Sequence, residues 1–336
     1  MKRASNDALF FFFPSLPFLD HSIMPQLSVI QVPCSSINLT DATYRLRPTD
    51  DNQLDQQLIE NIRQTGILHP PLFHVEHGNR YIILSGRKRV LTAQSLGVQE
   101  ISGLVLPQSA KPMLKWRTIL THALIGSRLS CIEQATFFSR AAKELSISEQ
   151  LLLLPLLERK PQQYVLQELA LYLTLASKTI SALHAGYLQE KLGKKLAKLS
   201  FEDQQTIVEL IRYYKFGGTK QKKLVNAAFD LVMRTGHSFE EILDKWNQNP
   251  AKEENRPQQA IALLSLLEAQ CFPKSTIARE QFKKFQRQLQ IPESCTLTPA
   301  LSFEDNSLTL SMIFNNQDEF LQHWPSLKKI MTTDHE

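Results

Sequence analysis

The spacing of apolar residues along the chain changes near residue 113. Upstream of it, short apolar runs are typical of strands at Ser28–Val32, Leu72–Val75, Tyr81–Leu84 and Ile101–Leu106. Helical stretches separate these runs. The first, residues 51–64, repeats its apolar residues every four positions, and a second follows Gly86. We therefore predict an α/β domain over residues 25–112.

From residue 113 to about residue 246, glycines and strand signals become rare and apolar residues recur at helical spacing. This pattern predicts an all-α middle domain over residues 113–247. Its helices are predicted at Ile132–Leu145, Ser148–Leu157, Pro161–Leu173, Lys178–His184, Leu188–Leu196, Phe201–Tyr214, Lys220–Arg234 and Phe239–Trp246.

A polar stretch rich in Asn, Lys, Glu and Pro, residues 247–257, predicts a linker after the helical region. Beyond it we predict, in order, two helices, two strands and a helix at Gln258–Gln270, Ile277–Leu289, Thr296–Phe303, Ser307–Phe314 and Gln317–Met331. Residues 258–336 are thus expected to form a small α+β domain. The predicted fold class of the whole chain is α+β and multi-domain.

Composition changes this picture little. The 336 residues carry a net charge of +5, with 43% hydrophobic and 21% charged residues, which is typical of a soluble intracellular chain without a membrane span. The four cysteines lie far apart, and neither they nor the nine histidines show zinc-site spacing, so we expect a reduced protein without a metal cluster. The apolar run near residue 10 is short and broken by prolines, so we interpret residues 1–24 as a disordered extension, or as sequence upstream of a start at Met24.

Three consecutive cations begin the helix that follows the strand at Tyr81–Leu84. Arg87, Lys88 and Arg89 come directly after Ser85 and Gly86, although a helix N-terminus already carries partial positive charge and unpaired N–H groups. A bound phosphate would remove this conflict, with glycine allowing close backbone approach. A second turn rich in glycine and proline, from Gly66 to Pro71, could bring further backbone N–H donors to the same phosphate. A plain basic surface turn is the competing interpretation.

These segments resemble the N-terminal domain of ParB partition proteins. The matching residues are Asn61-Ile62-x3-Gly66-Ile67-Leu68-x-Pro70 and Tyr81-x4-Gly86-x2-Arg89-x3-Ala93-x3-Gly97. The resemblance covers roughly residues 28–106 and implies a ParB/sulfiredoxin-like fold that binds CTP with Mg²⁺. It also implies a cytoplasmic, nucleoid-associated homodimer that binds DNA, with a partition ATPase as a further partner. The nucleotide-site residues expected here are Gly66, Pro70, Ser85, Gly86, Arg87, Lys88, Arg89 and Arg128.

This sequence departs from the family pattern at several positions. In the family's Gly-Glu-Arg-Arg box, Arg87 replaces the glutamate and Lys88 the first arginine, which keeps a charge but loses bidentate recognition. The family's third motif, Glu-Asn-x-x-Arg, corresponds to the segment ending at Arg128 and Glu133, where the Glu-Asn pair is not apparent. Because that glutamate holds the metal ion in the family, CTP hydrolysis is put in doubt. Sulfiredoxin activity requires a cysteine in the glycine-basic turn, and residues 86–89 have none.

The helical region has the order of a helix-turn-helix in residues 148–173, with the second helix facing DNA. Cations outnumber acids between residues 160 and 223, and ParB-like proteins carry a helix-turn-helix domain directly after the nucleotide domain. The DNA-binding residues expected here are Arg159, Lys160, Gln162, Gln163, Gln167, Lys194 and Lys195. A plain helical bundle with a solvated polar face remains the alternative.

Three classes of function stay open from the sequence. The leading hypothesis is a ParB-like DNA-binding protein, in chromosome or plasmid partition or related DNA organisation, whose nucleotide site controls the association of protomers. The second is a nuclease or phosphotransferase on the same N-terminal fold, which would require acidic metal ligands near residues 87–89. The third is an adaptor that has lost nucleotide binding and keeps the architecture for protein contacts.

Overall fold

The computed structural model describes residues 27–47, 54–76, 80–126, 128–248, 255–289, 291, 295–300 and 307–332. The chain divides into two compact units. The first comprises Met1–Thr174 with Leu183–Gly186, and the second comprises Leu175–Ala182 with Tyr187–Glu336. The extension expected at residues 1–24 lies outside the described residues. The domain boundaries that we predicted at residues 112, 247 and 258 do not coincide with this division, and they stay predictions.

A five-stranded mixed sheet forms the base of the first unit, with strand order β1-β5-β3-β4-β2. The strands are β1 (Ser28–Pro33), β2 (Ile37–Asn38), β3 (Leu72–Glu76), β4 (Arg80–Ser85) and β5 (Glu100–Leu106). β1 runs antiparallel to β5 and β3 antiparallel to β4, whereas β3 pairs with β5 and β2 with β4 in parallel. The four predicted strands are confirmed, and the two-residue β2 was not predicted because it is too short to show a pattern.

Apolar side chains from the sheet and the second helix form the core of this unit. Phe73, Ile83 and Val105 pack with Val90 and Ala93 in one buried cluster. Burying aliphatic and aromatic side chains of this size contributes about 1.5–3 kcal/mol each relative to exposure. The sheet is thereby held against the helix that begins at residue 87.

Three helices complete the α/β region: α1 (Gln56–Thr65), α2 (Arg87–Ser95) and α3 (Pro112–Gly126). α1 begins at its cap Asp55, whose side chain accepts a hydrogen bond from the Gln57 N–H at 2.9 Å, and so it starts later than the predicted residue 51. α3 was not predicted individually, because apolar residues surround most of its circumference and weaken the helical period. Trp116, Ile119 and Leu120 on it are almost completely buried.

The rest of the first unit is helical, as predicted. Its helices are α4 (Cys131–Ala141), α5 (Ile147–Leu153) and α6 (Gln163–Tyr172). The predicted helix at Ser148–Leu157 is wrong in its second half, where Pro155 lies in a 3-10 turn, Leu154–Leu157. α6 begins two residues after Pro161, with Gln162 as its N-cap.

The helices that follow are α7 (Ser177–His184), α8 (Gly193–Leu196), α9 (Phe201–Tyr213), α10 (Gly218–Thr235), α11 (Phe239–Asn247), α12 (Arg256–Cys271), α13 (Pro273–Gln288) and α14 (Gln317–Thr332). The expected helix at Leu188–Leu196 is replaced by a 3-10 turn, Glu190–Leu192, and the short α8. The two predicted C-terminal strands are confirmed in shortened form as the antiparallel pair β6 (Cys295–Pro299) and β7 (Leu308–Met312). No helix within the described residues is long and apolar enough to span a membrane.

Four helices begin with the same device, a buried glutamine at the fourth helical position. Its side-chain amide donates to the carbonyl of the residue just before the N-cap, in the pairs Gln134–Leu129, Gln150–Leu145, Gln204–Leu199 and Gln221–Phe216. In α9 the same glutamine also accepts the Ala176 N–H at 2.9 Å. Each glutamine therefore satisfies backbone groups that burial would otherwise leave without a partner. We call these contacts the glutamine pins.

Candidate functional site

A cavity of about 640 Å³ lies in the first unit, beside the β4–α2 turn. This volume is within the range of small-molecule sites. Among the residues that the structure describes, five cations line it, Arg45, Arg47, Arg87, Lys88 and Arg89, together with three carboxylates, Asp41, Asp55 and Glu133. The cavity therefore has an excess of positive charge, and we refer to it below as the basic cavity.

Gly86 forms the turn between β4 and α2. Its φ of 91° lies in the left-handed region, which favours glycine. A Cβ at this position would lie 2.9 Å from the Cβ of Pro71 and 2.9 Å from Nη2 of Arg89. Only glycine fits here, because both the backbone conformation and the neighbouring loop exclude a side chain.

Arg87 and Arg89 are held by backbone carbonyls. Arg87 donates to the Leu39 carbonyl and, at 3.2 Å, to that of Asp41, and Arg89 donates to the His69 carbonyl. Backbone carbonyls on other segments therefore accept from both arginines, and occupation of this turn by a phosphate stays a prediction.

Burial lowers the pKa of Arg89, and the nearby positive charge of Arg47 lowers it further. Lys88, between the two arginines in sequence, has no hydrogen-bond or ion-pair partner among the described residues of the chain. The cavity thus gathers cations closely enough for them to repel one another. A bound anion would relieve that repulsion.

Gly66 and Pro70 reach the cavity from the loop after α1, as expected. Gly66 caps α1 with a φ of 73°, and its N–H donates to the Ile62 carbonyl at 2.9 Å. The Pro70 carbonyl accepts from His122 on α3. The loop is therefore fixed at both ends.

Arg47 joins the cavity to α4. Its Nε lies 2.7 Å from Oε1 of Glu133, a carboxylate that is nearly buried. Glu133 also closes a capping box, accepting the Ser130 N–H at 2.7 Å. Arg140, further along α4, donates to the carbonyls of Ala42 and Thr43. The loop before residue 48 is thereby attached to α4 at two points.

His122 bridges two walls of the cavity. Its Nδ1 lies 2.9 Å from the Ser85 hydroxyl, and its Nε2 lies 3.0 Å from the Pro70 carbonyl oxygen. Burial lowers its pKa, as do the charges of Arg89 and His69, whereas the hydrogen bond to Pro70 opposes the shift. The ring is therefore neutral near pH 7.

Six of these cavity residues escaped sequence reasoning: Asp41, Arg45, Arg47, Asp55, His69 and His122. They lie on separate segments, and nothing in the local pattern of any segment marks them. The cations at the start of α2 are the one sequence signal that bears on residues 39–47, because a cluster of arginines requires acceptors from another segment.

One expected site residue lies elsewhere. The Arg128 side chain is 88% exposed and pairs with Glu158 at 3.1 Å, and it does not line the basic cavity. The resemblance to the family's third motif suggested Arg128 for the nucleotide site. The helix start at Ser130 instead turns Glu133 toward the cavity and leaves Arg128 on the surface.

Comparison with known families decides the identity of this region. The family model described as the ParB N-terminal domain matches residues 23–120, the stretch that contains the sheet, α1, α2 and most of α3. Residues 23–120 therefore form a ParB-like N-terminal domain. The resemblance seen in the Gly66 and Gly86 turns is thereby confirmed for this domain.

Solved ParB structures show only weak overall likeness. A C-terminally truncated ParB from Caulobacter crescentus, complexed to the centromeric parS site, is 14% identical over 59% of this chain and 98% of its own, with a TM-score of 0.35. The same protein complexed with CTP-gamma-S is 16% identical over 55% and 98%, with a TM-score of 0.25. A Pnob8-like ParB-N domain is 17% identical over 68% and 88%, with a TM-score of 0.33. No curated protein matches the chain.

The residues expected to bind DNA occupy both units. In the first, Lys160, Gln162, Gln163 and Gln167 are exposed at the start of α6 and along it, whereas Arg159 donates to the buried Gln134. Arg159 is therefore part of a glutamine pin. In the second unit Lys194 is exposed, and Lys195 donates to Asn226 at 2.7 Å.

The predicted helix-turn-helix needs correction in its detail. Its first helix, α5, has only seven residues, and a 3-10 turn and a further five residues separate it from α6. A standard helix-turn-helix joins its helices by three or four residues. DNA recognition by α6 stays a prediction.

Proposed function

We propose that this ParB-like chain is a DNA-associated protein in which a nucleoside triphosphate, CTP first among them, occupies the basic cavity and controls the association of two protomers on DNA. The observation that carries the proposal is the cluster of cations around the left-handed Gly86 at the N-terminus of α2. A phosphate at this turn would meet both the helix N–H groups and the cationic side chains.

The charges favour a ligand with several phosphates. Arg47 lines the cavity from the loop before residue 48, whereas Lys88 and Arg89 line it from the first turn of α2. A bound anion would reduce the repulsion between Arg47 and Arg89. Charge-assisted hydrogen bonds to phosphate are about twice as strong as neutral ones. The ParB resemblance makes CTP the nucleotide to test first.

The metal that accompanies nucleotides fits this site less well. Glu133 is already engaged by Arg47, and no group of three His, Cys, Asp or Glu side chains suited to a metal ion occurs within the part of the chain that the structure describes. Asp41 and Asp55 remain as acidic residues of the cavity wall. Magnesium is commonly held by one or two carboxylates plus the phosphates, so these two are the residues that would hold it here.

The nucleotide proposal is tested by Lys88→Ala against Lys111→Ala, an exposed lysine outside the cavity. We expect CTP at about 100 times its Kd to stabilise the wild-type chain by ~2.7 kcal/mol, measured as a shift in Tm. Lys88→Ala should lose most of that shift without changing the ligand-free Tm, and Lys111→Ala should keep it. If no nucleoside triphosphate shifts the wild-type Tm, the proposed control by a nucleotide is wrong. The result would then favour the adaptor that has lost nucleotide binding.

The DNA proposal is supported by the excess of lysines in the helical region. A triple variant, Lys160→Ala with Lys194→Ala and Lys195→Ala, should weaken DNA binding and flatten the dependence of log K on log salt by about one unit for each phosphate that the variant no longer binds. A control with the same reduction in charge is Lys111→Ala with Arg117→Ala and Lys143→Ala, all exposed in the first unit. Equal slopes for the two triple variants would contradict the proposed phosphate contacts of these three lysines.

Dimer formation completes the proposal. Sedimentation of the full chain with DNA, with and without nucleotide, should show a shift from one protomer to two only when both ligands are present. A partition ATPase is the partner that the ParB resemblance implies. One protomer per DNA both with and without nucleotide would contradict control of association by the nucleotide.

A further inference from the structure

Ser85 and His122 form a hydroxyl–imidazole pair in the wall of the basic cavity. The Ser85 Oγ lies 2.9 Å from Nδ1 of His122, and both residues line the cavity. Ser85 is the last residue of β4, and His122 lies on α3. Residues 37 positions apart in sequence are thus brought within hydrogen-bond distance.

The partner on the other side of the ring determines where its protons lie. Nε2 of His122 lies 3.0 Å from the Pro70 carbonyl oxygen, which can only accept, so Nε2 carries a hydrogen. In the neutral ring Nδ1 is then an acceptor, and the Ser85 hydroxyl must donate to it. This is the arrangement of an activated nucleophile: a hydroxyl, a base and a third group that orients the base.

The surroundings keep the ring in its basic form. The groups facing it are the Ser85 hydroxyl, the Pro70 carbonyl and the positive or neutral side chains of Arg89 and His69. Burial and these charges lower the pKa of His122. A neutral imidazole at pH 7 can accept a proton from the hydroxyl, which a protonated one could not.

The other side of Ser85 is suited to an electrophile that carries negative charge. Gly86 and the first turn of α2 follow it directly, and Lys88 and Arg89 line the same cavity. Backbone N–H groups and cations at this place would stabilise charge that develops on a transferring group. The end of β4, the start of α2 and the facing helix α3 therefore supply a nucleophile, groups for electrostatic stabilisation and a base.

We propose that Ser85 accepts a phosphoryl group from the nucleoside triphosphate in the basic cavity, with His122 as the general base. The Ser85 oxygen forms a bond to the terminal phosphorus, and the bond from that phosphorus to the bridging oxygen breaks. The bridging oxygen leaves with the electron pair as part of the nucleoside diphosphate. The hydroxyl proton passes to Nδ1 of His122 and from there to solvent. This inference rests on the proposed nucleotide site.

The test uses the full chain with a magnesium nucleoside triphosphate labelled in its terminal phosphate, followed by peptide mapping of phosphoserine. We expect the label at Ser85. Ser85→Ala should abolish it, Ser85→Thr should retain part of it, and Ser95→Ala is the matched control, since Ser95 is exposed on α2 outside the cavity. Because general bases contribute about 10²–10⁴-fold, His122→Asn should slow labelling by that factor.

The outcomes separate this inference from the proposed function. A nucleotide-induced Tm shift without phosphate on Ser85 overturns the inference and leaves the nucleotide site standing. A merely structural Ser85–His122 pair would lower the ligand-free Tm of both variants without any labelling of the wild type. If no nucleotide binds, the proposed function fails, and a fluorophosphonate reagent then tests the pair directly. Modification of Ser85 that His122→Asn suppresses supports the nucleophile, and its absence overturns it.

Discussion

The basic cavity and the glutamine pins both depend on side-chain donors that bond to backbone carbonyls. They differ in how far apart donor and acceptor lie in the sequence. At the pins, donor and acceptor are five residues apart. In the cavity, Arg89 and His69 are separated by 20 residues, and Arg87 and Leu39 by 48. A pin can form as soon as its helix does, whereas the cavity contacts require the folded sheet. The cavity is therefore the part of the molecule that depends most on tertiary structure.

The strongest test of this comparison is Gly86→Ala. Left-handed backbone costs a side chain about 1–2 kcal/mol, and overpacking against Pro71 adds about 1–3 kcal/mol. We expect the free energy of unfolding in urea to fall by about 2–5 kcal/mol. Gly97→Ala is the control, because Gly97 has a φ of 77° and no atom within 4 Å of an added Cβ. Equal decreases in both variants would show that close packing around Gly86 contributes nothing.

Gln204→Leu removes one glutamine pin. It leaves the Leu199 carbonyl and the Ala176 N–H without their side-chain partner in a buried setting. An unsatisfied buried group costs about 1–3 kcal/mol, so we expect the free energy of unfolding in urea to fall by about 2–3 kcal/mol. The matched variant Gln258→Leu changes an exposed glutamine and should stay within about 0.5 kcal/mol of the wild type. If Gln204→Leu lowers the free energy of unfolding by less than this expected range, water replaces the side-chain amide at the two backbone groups.

Arg89→Ala tests whether the cavity cations also hold the fold. The side chain donates to the His69 carbonyl, so we expect the stability of the ligand-free chain to fall by about 1–2 kcal/mol. Relief of the repulsion from Arg47 acts in the opposite direction. Arg117→Ala, exposed on α3, provides the control in the same thermal melts. An unchanged or higher Tm for Arg89→Ala would show that repulsion outweighs the hydrogen bond to the carbonyl.

The smallest expected effect is a dependence of stability on pH. Because burial lowers the pKa of His122 in the folded chain, the unfolded chain binds more protons below the ordinary histidine pKa of about 6.5. Stability is therefore fully present above that pH and is lost as the pH falls. Burial also lowers the pKa of His74, so two histidines contribute to this dependence. His122→Asn should therefore only partly flatten the plot of unfolding free energy against pH between pH 7.5 and 5.5.

The local sequence was enough to predict the strands at Leu72, Tyr81 and Ile101, because short apolar runs bounded by turn residues are typical of buried strands. It also indicated the turns at Gly66 and Gly86, where a positive φ excludes other residues. Helix ends were less predictable. Pro155 interrupts a run of leucines that looks helical throughout, and the missing N–H of proline favours a 3-10 turn there.

The sequence by itself determined which elements form and that cations gather at the start of α2. Only the tertiary structure decided what those cations contact. Arg87 and Arg89 reach carbonyls on other segments, Arg47 reaches Glu133, and Arg128 turns away to Glu158. The pairing of Ser85 with His122 likewise needs α3 packed beside β4. Secondary structure follows from the periodicity of neighbouring residues, but a site follows from contacts between distant ones, which no local pattern records.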